Sequence, residues 1–222
     1  MSNTPWVASY PAGVRWDADL TIRPVPQILQ DTVANYGERP AVDFMGKKLN
    51  YRELGAAVDR AAAGLQKLGV GPGVHVGLFL PNSPHYPIAL FGVLQAGGTV
   101  VNYSPLDAAK VLEHKIEDSQ TDFLITLDMK ALYPQMAAML GKTRLKKLVV
   151  GNLAEMTGAP EQVAAAQKAQ GETVDIPADD HHVRFAQLLD NDGKYTAHPI
   201  ADPGETIALL QYTGGTTGLP KG

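Results

Sequence analysis

Three threonines and three glycines lie just ahead of a lysine at the end of this chain, in the run Tyr212-Thr213-Gly214-Gly215-Thr216-Thr217-Gly218-Leu219-Pro220-Lys221-Gly222. Glycines let a backbone turn sharply and bring its N–H groups close to an anion, and the threonine hydroxyls and the lysine ammonium add donors and one positive charge. Residues of these types in this order suit a polyphosphate. The pattern is not G-x-x-x-x-G-K-[ST], the nucleotide-binding loop of the common triphosphatases, because Pro220 precedes Lys221 and Gly222 follows it. A flexible Gly/Thr linker is the plainer reading of such a composition. Against it, the apolar run Thr206-Ile207-Ala208-Leu209-Leu210-Gln211 leads directly into the glycines and has the length of a buried strand.

The elements that must hold this loop are legible as an alternation. The spacing predicts a first helix from Pro26 to Tyr36, and a second that opens on Asn50, carries Leu54, Val58, Ala61, Ala62, Leu65 and Leu68 at helical intervals, and stops at Gly69. Asn50 with Glu53 reads as a capping arrangement. A strand from Val74 to Leu80 comes next, then a helix capped by Ser83 with Pro84 at its first position and ending near Gln95, where Gly97 and Gly98 turn into a strand from Thr99 to Asn102. The pattern continues with a helix from Ala108 to Asp118, a strand from Phe123 to Thr126, a helix from Lys130 to Leu140 and a strand from Leu148 to Val150. From Gly151 to Gly204 the composition changes, and this stretch is expected to be an excursion with helices from Glu161 to Ala169 and from Val183 to Leu189 before the strand Thr206 to Gln211. Strands alternating with helices imply an α/β fold, a mostly parallel sheet covered by helices on both faces.

Composition bounds the function. With 222 residues, 45% hydrophobic and 19% charged, the chain can bury a sizeable core. It has no cysteine, which excludes disulfides, thiolate metal sites and a cysteine nucleophile. A net charge of −4 gives little support to nucleic-acid binding. The one basic run, Lys142-Thr143-Arg144-Leu145-Lys146-Lys147, reads as a solvated helix-to-strand connection. The amino terminus lacks the pattern of a signal peptide, and the apolar stretch from Ile88 to Val101 is too short for a membrane span. The expectation is a cytoplasmic protein, with peripheral contact at a membrane left open. His181 and His182 beside Asp179 and Asp180 suggest metal ligation, but adjacent histidines in a polar loop point apart, so a solvated loop is expected. No catalytic residue is assigned within the chain, since neither a nucleophile elbow nor a carboxylate pair stands out.

The final run resembles the signature loop of the adenylate-forming (AMP-binding) superfamily, usually Tyr/Phe-Thr-Ser/Thr-Gly-Thr-Thr-Gly-x-Pro-Lys-Gly, and departs from it at Gly214, where a hydroxyl residue is commoner. Leu49-Asn50-Tyr51-Arg52-Glu53-Leu54 and Leu94-Gln95-Ala96-Gly97-Gly98-Thr99-Val100-Val101-Asn102 resemble the first two core motifs, in the expected order. The variant Leu210-Gln211-Tyr212-Thr213-Gly214-Gly215, with the lead-in of Pro5, Trp6, Tyr10, Pro11 and Trp16, is similar to that of bacterial long-chain fatty-acid CoA ligases.

The resemblance implies a fold, a reaction and partners. Residues 1–222 would be a partial amino-terminal domain of an acyl-CoA ligase ending at the phosphate-binding loop 212–222, with the carboxyl-terminal domain absent and the piece inactive alone. ATP would activate a fatty acid or other carboxylic acid as an acyl-adenylate, and coenzyme A would then displace AMP. Thr213, Gly214, Gly215, Thr216, Thr217, Gly218 and Lys221 would bind the phosphates, with Mg2+ bridging phosphate oxygens and its protein ligand unassigned. The oligomeric state is left open. The same loop also suits ligases for aryl, short-chain or amino acids, and the alternative from another class is a natural, non-catalytic module binding a phosphorylated ligand or a partner.

Overall fold

The computed structural model of the chain describes residues 4–213 and 220–222. Its first regular elements are a short 3-10 turn at Pro5–Ser9 and helix α1, Val25–Tyr36. Strands β1, Pro40–Phe44, and β2, Lys47–Asn50, then form an antiparallel hairpin. The sequence reading has no hairpin here. Its turn is Met45-Gly46, both at positive φ (45° and 83°), a conformation usually announced by Asn-Gly or Asp-Gly rather than by methionine.

Helix α2, Tyr51–Lys67, begins as its sequence requires: the Asn50 side chain accepts from the Glu53 N–H and Glu53 accepts from the Asn50 N–H, both at 2.8 Å. These reciprocal bonds satisfy two orphan donors of the first turn. The buried stripe Leu54, Val58, Ala61, Ala62 and Leu65 lies against helix α3, His85–Gln95. Small residues allow the close approach, since a Cβ on Gly92 would come within 2.7 Å of the Ala61 methyl.

α3 does not start as expected. Ser83 makes no side-chain cap; Pro84 occupies the cap position, and the Ser83 hydroxyl instead faces His85 Nδ1 at 3.4 Å. Strands β3, His75–Leu78, and β4, Thr99–Asn102, flank this helix, and the second has the expected limits. Helix α4, Ala109–Asp118, strand β5, Thr121–Leu127, and strand β6, Lys147–Gly151, also follow the alternation. Between the last two, the expected helix Lys130 to Leu140 contracts to α5, Tyr133–Ala137, and the residues on either side form turns whose N–H groups bond three residues back, Leu132 to Met129, Met139 to Met136 and Leu140 to Ala137.

The stretch from Gly151 to Gly204 is more than an excursion. It contains a 3-10 turn, Leu153–Met156, and helix α6, Pro160–Ala169, near its expected place. The expected helix Val183 to Leu189 divides into strand β7, His182–Arg184, and a single helical turn, α7, Phe185–Leu188. β7 pairs with β6 and becomes an edge of the sheet. Three residues are too few for a period-two signal to register. Strand β8, Leu209–Gln211, is shorter than the expected Thr206 to Gln211, because the Thr206 N–H turns back to the Asp202 carbonyl and pairing with β4 begins at Val100 and Leu209.

The six-stranded sheet has the order β7-β6-β5-β3-β4-β8, and every neighbouring pair is parallel. The connection from β3 to β4 runs one way and those from β4 to β5 and β5 to β6 the other, so right-handed crossovers put α3 and α7 on one face and α4 and α5 on the opposite face. Packing agrees: α2 touches both α3 and α7, whereas α4 and α5 pack on β5. This is the α/β architecture expected from the sequence.

A Cβ on Gly64, in α2, would sit on the Leu188 carbonyl of α7. Gly64→Ala should therefore destabilise the chain by about 2–4 kcal/mol in urea unfolding. Gly71→Ala, where a Cβ meets open space, should stay within about 0.5 kcal/mol of the parent.

Candidate functional site

Parallel pairing directs the carboxyl ends of all six strands to one edge of the sheet, and β8 delivers the glycine-rich loop there. Asn102 Nδ2 donates to Gln211 Oε1 at 2.9 Å, tying the last residues of β4 and β8, and Tyr86 of α3 donates to the same Asn102 at 3.0 Å. Tyr212 then turns inward and is buried. Its hydroxyl donates to the Asp118 carboxylate, at the end of α4. Burial and the negative charge of Asp118 both push the Tyr212 phenol up from its ordinary range. Beside it, Tyr103 is also buried, donates to Thr121 Oγ1 at 2.7 Å and is pushed up to about 12 by burial.

The loop is closed by its own backbone. Thr213 and Lys221 exchange both hydrogen bonds of a narrow antiparallel pair, at 3.1 and 3.3 Å. The expected site residues Thr213 and Lys221 are thus brought together with both side chains exposed. Gly214, Gly215, Thr216, Thr217 and Gly218 lie outside the described residues. On the far rim, Pro220 presents its carbonyl to His114 Nε2 at 3.2 Å, and because a carbonyl only accepts, that nitrogen carries the hydrogen. Gly222 lies against the Tyr212 ring, where a Cβ would come within 2.8 Å of Cζ.

Beneath the rims is an ion pair whose lysine is buried and whose carboxylate is partly exposed. Lys115 Nζ stands 2.6 Å from Asp107 Oδ2 and 5.4 Å from the centre of the Tyr212 ring. Asp107 also accepts from the Ser104 N–H, so the connection after β4 is drawn onto the same helix. Sequence reasoning left out His114, Lys115, Asp118 and Asp107. The available signal was the placement of His114 and Asp118 four residues apart on a helix, which puts them on one face.

A phosphate group is matched by the chemistry of the donor set: one ammonium, hydroxyls, and N–H groups of a backbone that the Thr213–Lys221 pair closes on itself. Among the described residues, no three or more His, Asp or Glu side chains gather as metal ligands. The His181-His182 pair is not simply a solvated loop. His181 is exposed, but His182 belongs to β7, its side chain is only 7% exposed, and it bonds to Tyr133 Oη at 2.9 Å and Asp179 Oδ1 at 2.7 Å. Pairing with Leu148 draws it into the sheet edge. The basic run is partly paired: Arg144 and Lys146 meet Asp122 at 3.0 and 3.2 Å, and Leu145 is buried. A cleft of about 460 Å³ opens at the opposite, amino edge of the sheet, lined by His75, Leu94, Thr99, His198 and Ile207, far from the loop's strand ends.

In open parallel α/β sheets the carboxyl edge of the strands is where ligands commonly bind, and here that edge carries a glycine- and threonine-rich segment. The profile of the AMP-binding enzyme family matches residues 29–222, and the chain belongs to that family. Over its whole length the chain is 32% identical to a long-chain-fatty-acid–CoA ligase of Bacillus subtilis, covering 40% of that protein. It is 30% identical over 98% of its length to the Escherichia coli ligase of the same description, covering 39% of it. It thus spans about two fifths of the length of these relatives. A syringomycin synthase of Pseudomonas syringae is 31% identical over 88% of the chain, covering 25% of that protein. Among solved structures, a long-chain-fatty-acid-CoA ligase from Archaeoglobus fulgidus superposes with a TM-score of 0.69 over 92% of this chain and 37% of its own, at 22% identity, a likeness of fold. No helix among the described residues is long and apolar enough to cross a membrane.

His85 is fully buried, its Nε2 has no hydrogen-bond partner among the described residues, and burial pushes its imidazole down to about 4, with the charge of Lys47 acting in the same direction. The unfolded chain therefore takes up this proton first, near its ordinary value of about 6.5. Stability from neutral His85 is present above that pH and is lost as the pH falls towards about 4, by ~3 kcal/mol. Urea titrations between neutral and acid pH should show this slope in the parent and a shallower one in His85→Gln.

Proposed function

We propose that the chain is the amino-terminal part of the large domain of a long-chain fatty-acyl-CoA ligase, ending in the phosphate-binding loop 212–222. In the reaction, a fatty-acid carboxylate oxygen attacks the α-phosphorus of ATP. The bond to the β-phosphate bridge breaks, and pyrophosphate leaves from an acyl-adenylate. The thiol sulfur of coenzyme A then attacks the acyl carbonyl, loses its proton, and AMP departs. The observation that carries this reading is the Thr213–Lys221 pair, which closes the glycine-rich loop at the carboxyl edge of the sheet. Identity over the whole chain to ligases described as long-chain fatty-acid enzymes supports the acid class.

The chain's own residues would act mainly by binding and orientation. Backbone N–H groups of Gly214, Gly215 and Gly218 would approach the β- and γ-phosphates, Thr213, Thr216 and Thr217 would donate hydroxyls, and Lys221 would neutralise charge on the departing pyrophosphate. Magnesium would supply charge neutralisation at the phosphate oxygens. The adenine pocket, most of the acid pocket and the catalytic lysine belong, on this reading, to the part of the ligase that these residues do not include, so the chain alone would not turn over. We assign the ligase to the cytoplasm. A second reading is activation of an amino or aryl acid, since the same glycine- and threonine-rich loop also suits ligases for those acids.

Exchange of labelled pyrophosphate into ATP tests both readings. The ligase that bears this chain should exchange with palmitate or oleate, at least tenfold faster than with benzoate, acetate or amino acids, and the 222-residue chain alone should not exchange. Exchange dependent on an amino or aryl acid and not on a fatty acid would establish the second reading instead.

A further inference from the structure

We propose that His114 and Asp118 of α4 are positioning residues that hold the two rims of the phosphate loop, so that its affinity for phosphate is set by a helix outside the loop. The inference rests on the reading of residues 212–222 as a phosphate site. Asp118 reaches the entry rim through the Tyr212 hydroxyl, and His114 reaches the exit rim through the Pro220 carbonyl. The two residues are one helical turn apart, so they share a face of α4. Between the rims, the only backbone closure among the described residues is the single Thr213–Lys221 pair.

One isolated pair of this kind is a weak tie between the rims, because each backbone hydrogen bond contributes only about 1 kcal/mol net. The anchors on α4 supply what the pair lacks. Tyr212 is buried: Lys115 lies over its ring, Gly222 lies against it, and its hydroxyl meets a carboxylate, a hydrogen bond of the strong, charge-assisted kind. The Lys115–Asp107 ion pair in turn seats the β4–α4 connection on the same helix, so α4, the end of β4 and both rims of the loop form one packed unit.

A positioning role differs from a structural one in what it changes. If the anchors raise the fraction of the loop that is ready to bind, losing one lowers apparent affinity in proportion and leaves the rate of the bound complex alone. Tyr212→Phe keeps the ring in its packing and removes only the bond to Asp118. It should raise both the dissociation constant of pyrophosphate, by calorimetry, and KM for ATP roughly tenfold, with kcat within about twofold. Asp118→Ala should match it, whereas Asp118→Asn, whose amide oxygen still accepts from the phenol, should stay within about threefold of the parent. His114→Ala should weaken both constants, and His114→Gln, which retains an N–H donor, should restore them.

Variants that lower the melting temperature or the active fraction but leave KM and pyrophosphate affinity unchanged would overturn the proposal, as would failure of either rescue. A parent ligase that binds no pyrophosphate would overturn it too, since nothing would then be positioned. Failure of the functional reading has a separate signature. If the parent exchanges pyrophosphate with no acid yet binds it, the adenylation chemistry falls, and the calorimetric series still decides the role of α4.

Discussion

Parallel strand pairing is the constraint on which the rest of this molecule depends. In the six-stranded sheet it sends every strand in one direction and every return through a helix, so the residues that follow those strands collect at a single edge. The order β7-β6-β5-β3-β4-β8 then decides the neighbours. β4 and β8 are more than a hundred residues apart in sequence, yet the pairing Asn102↔Gln211 brings their carboxyl ends together and places the start of the loop above α4. β8 has three residues and offers little on its own. Its position is secured by the Asn102–Gln211 side-chain bond and by Tyr212, whose ring is buried below it.

An acidic chain can still receive a polyanion where its local charges are already engaged. The net charge is −4, and two carboxylates, Asp107 and Asp118, sit close to the loop. Each has a donor of its own. Asp107 is matched by the buried Lys115, and Asp118 accepts the hydrogen of Tyr212. Lys221, exposed at the rim, provides the positive charge aimed at solvent from the loop itself.

The parts of this arrangement that were legible in the sequence are those governed by neighbours along the chain. Asn50 and Glu53 announced the start of α2 because a capping box is complete within four consecutive residues. Thr99 to Asn102 was readable as a strand because glycines precede it and Thr99, Val100 and Val101 are consecutive β-branched residues. What was hidden depends on partners far away. Tyr212 and Asp118 are 94 positions apart and His114 and Pro220 are 106 apart, and neither side chain carries a local mark of its role. The Met45-Gly46 turn and the short strand β7 escaped because each lacks the composition that normally signals it. Ser83 misled for the opposite reason: it has the chemistry of a cap, but Pro84 took the position and the hydroxyl turned to His85.

The central claim is that the closed loop at the carboxyl edge of the sheet is a cradle for phosphate. Amide chemical shifts followed by NMR while tripolyphosphate with magnesium is titrated into the 222-residue chain test it most directly. The account predicts saturable shifts concentrated at Tyr212 to Gly222, spreading to His114 through Asp118 of α4 and leaving the amino edge of the sheet unchanged. Shifts confined to the cleft around His75, His198 and Ile207, or no saturable shift at all, would contradict it.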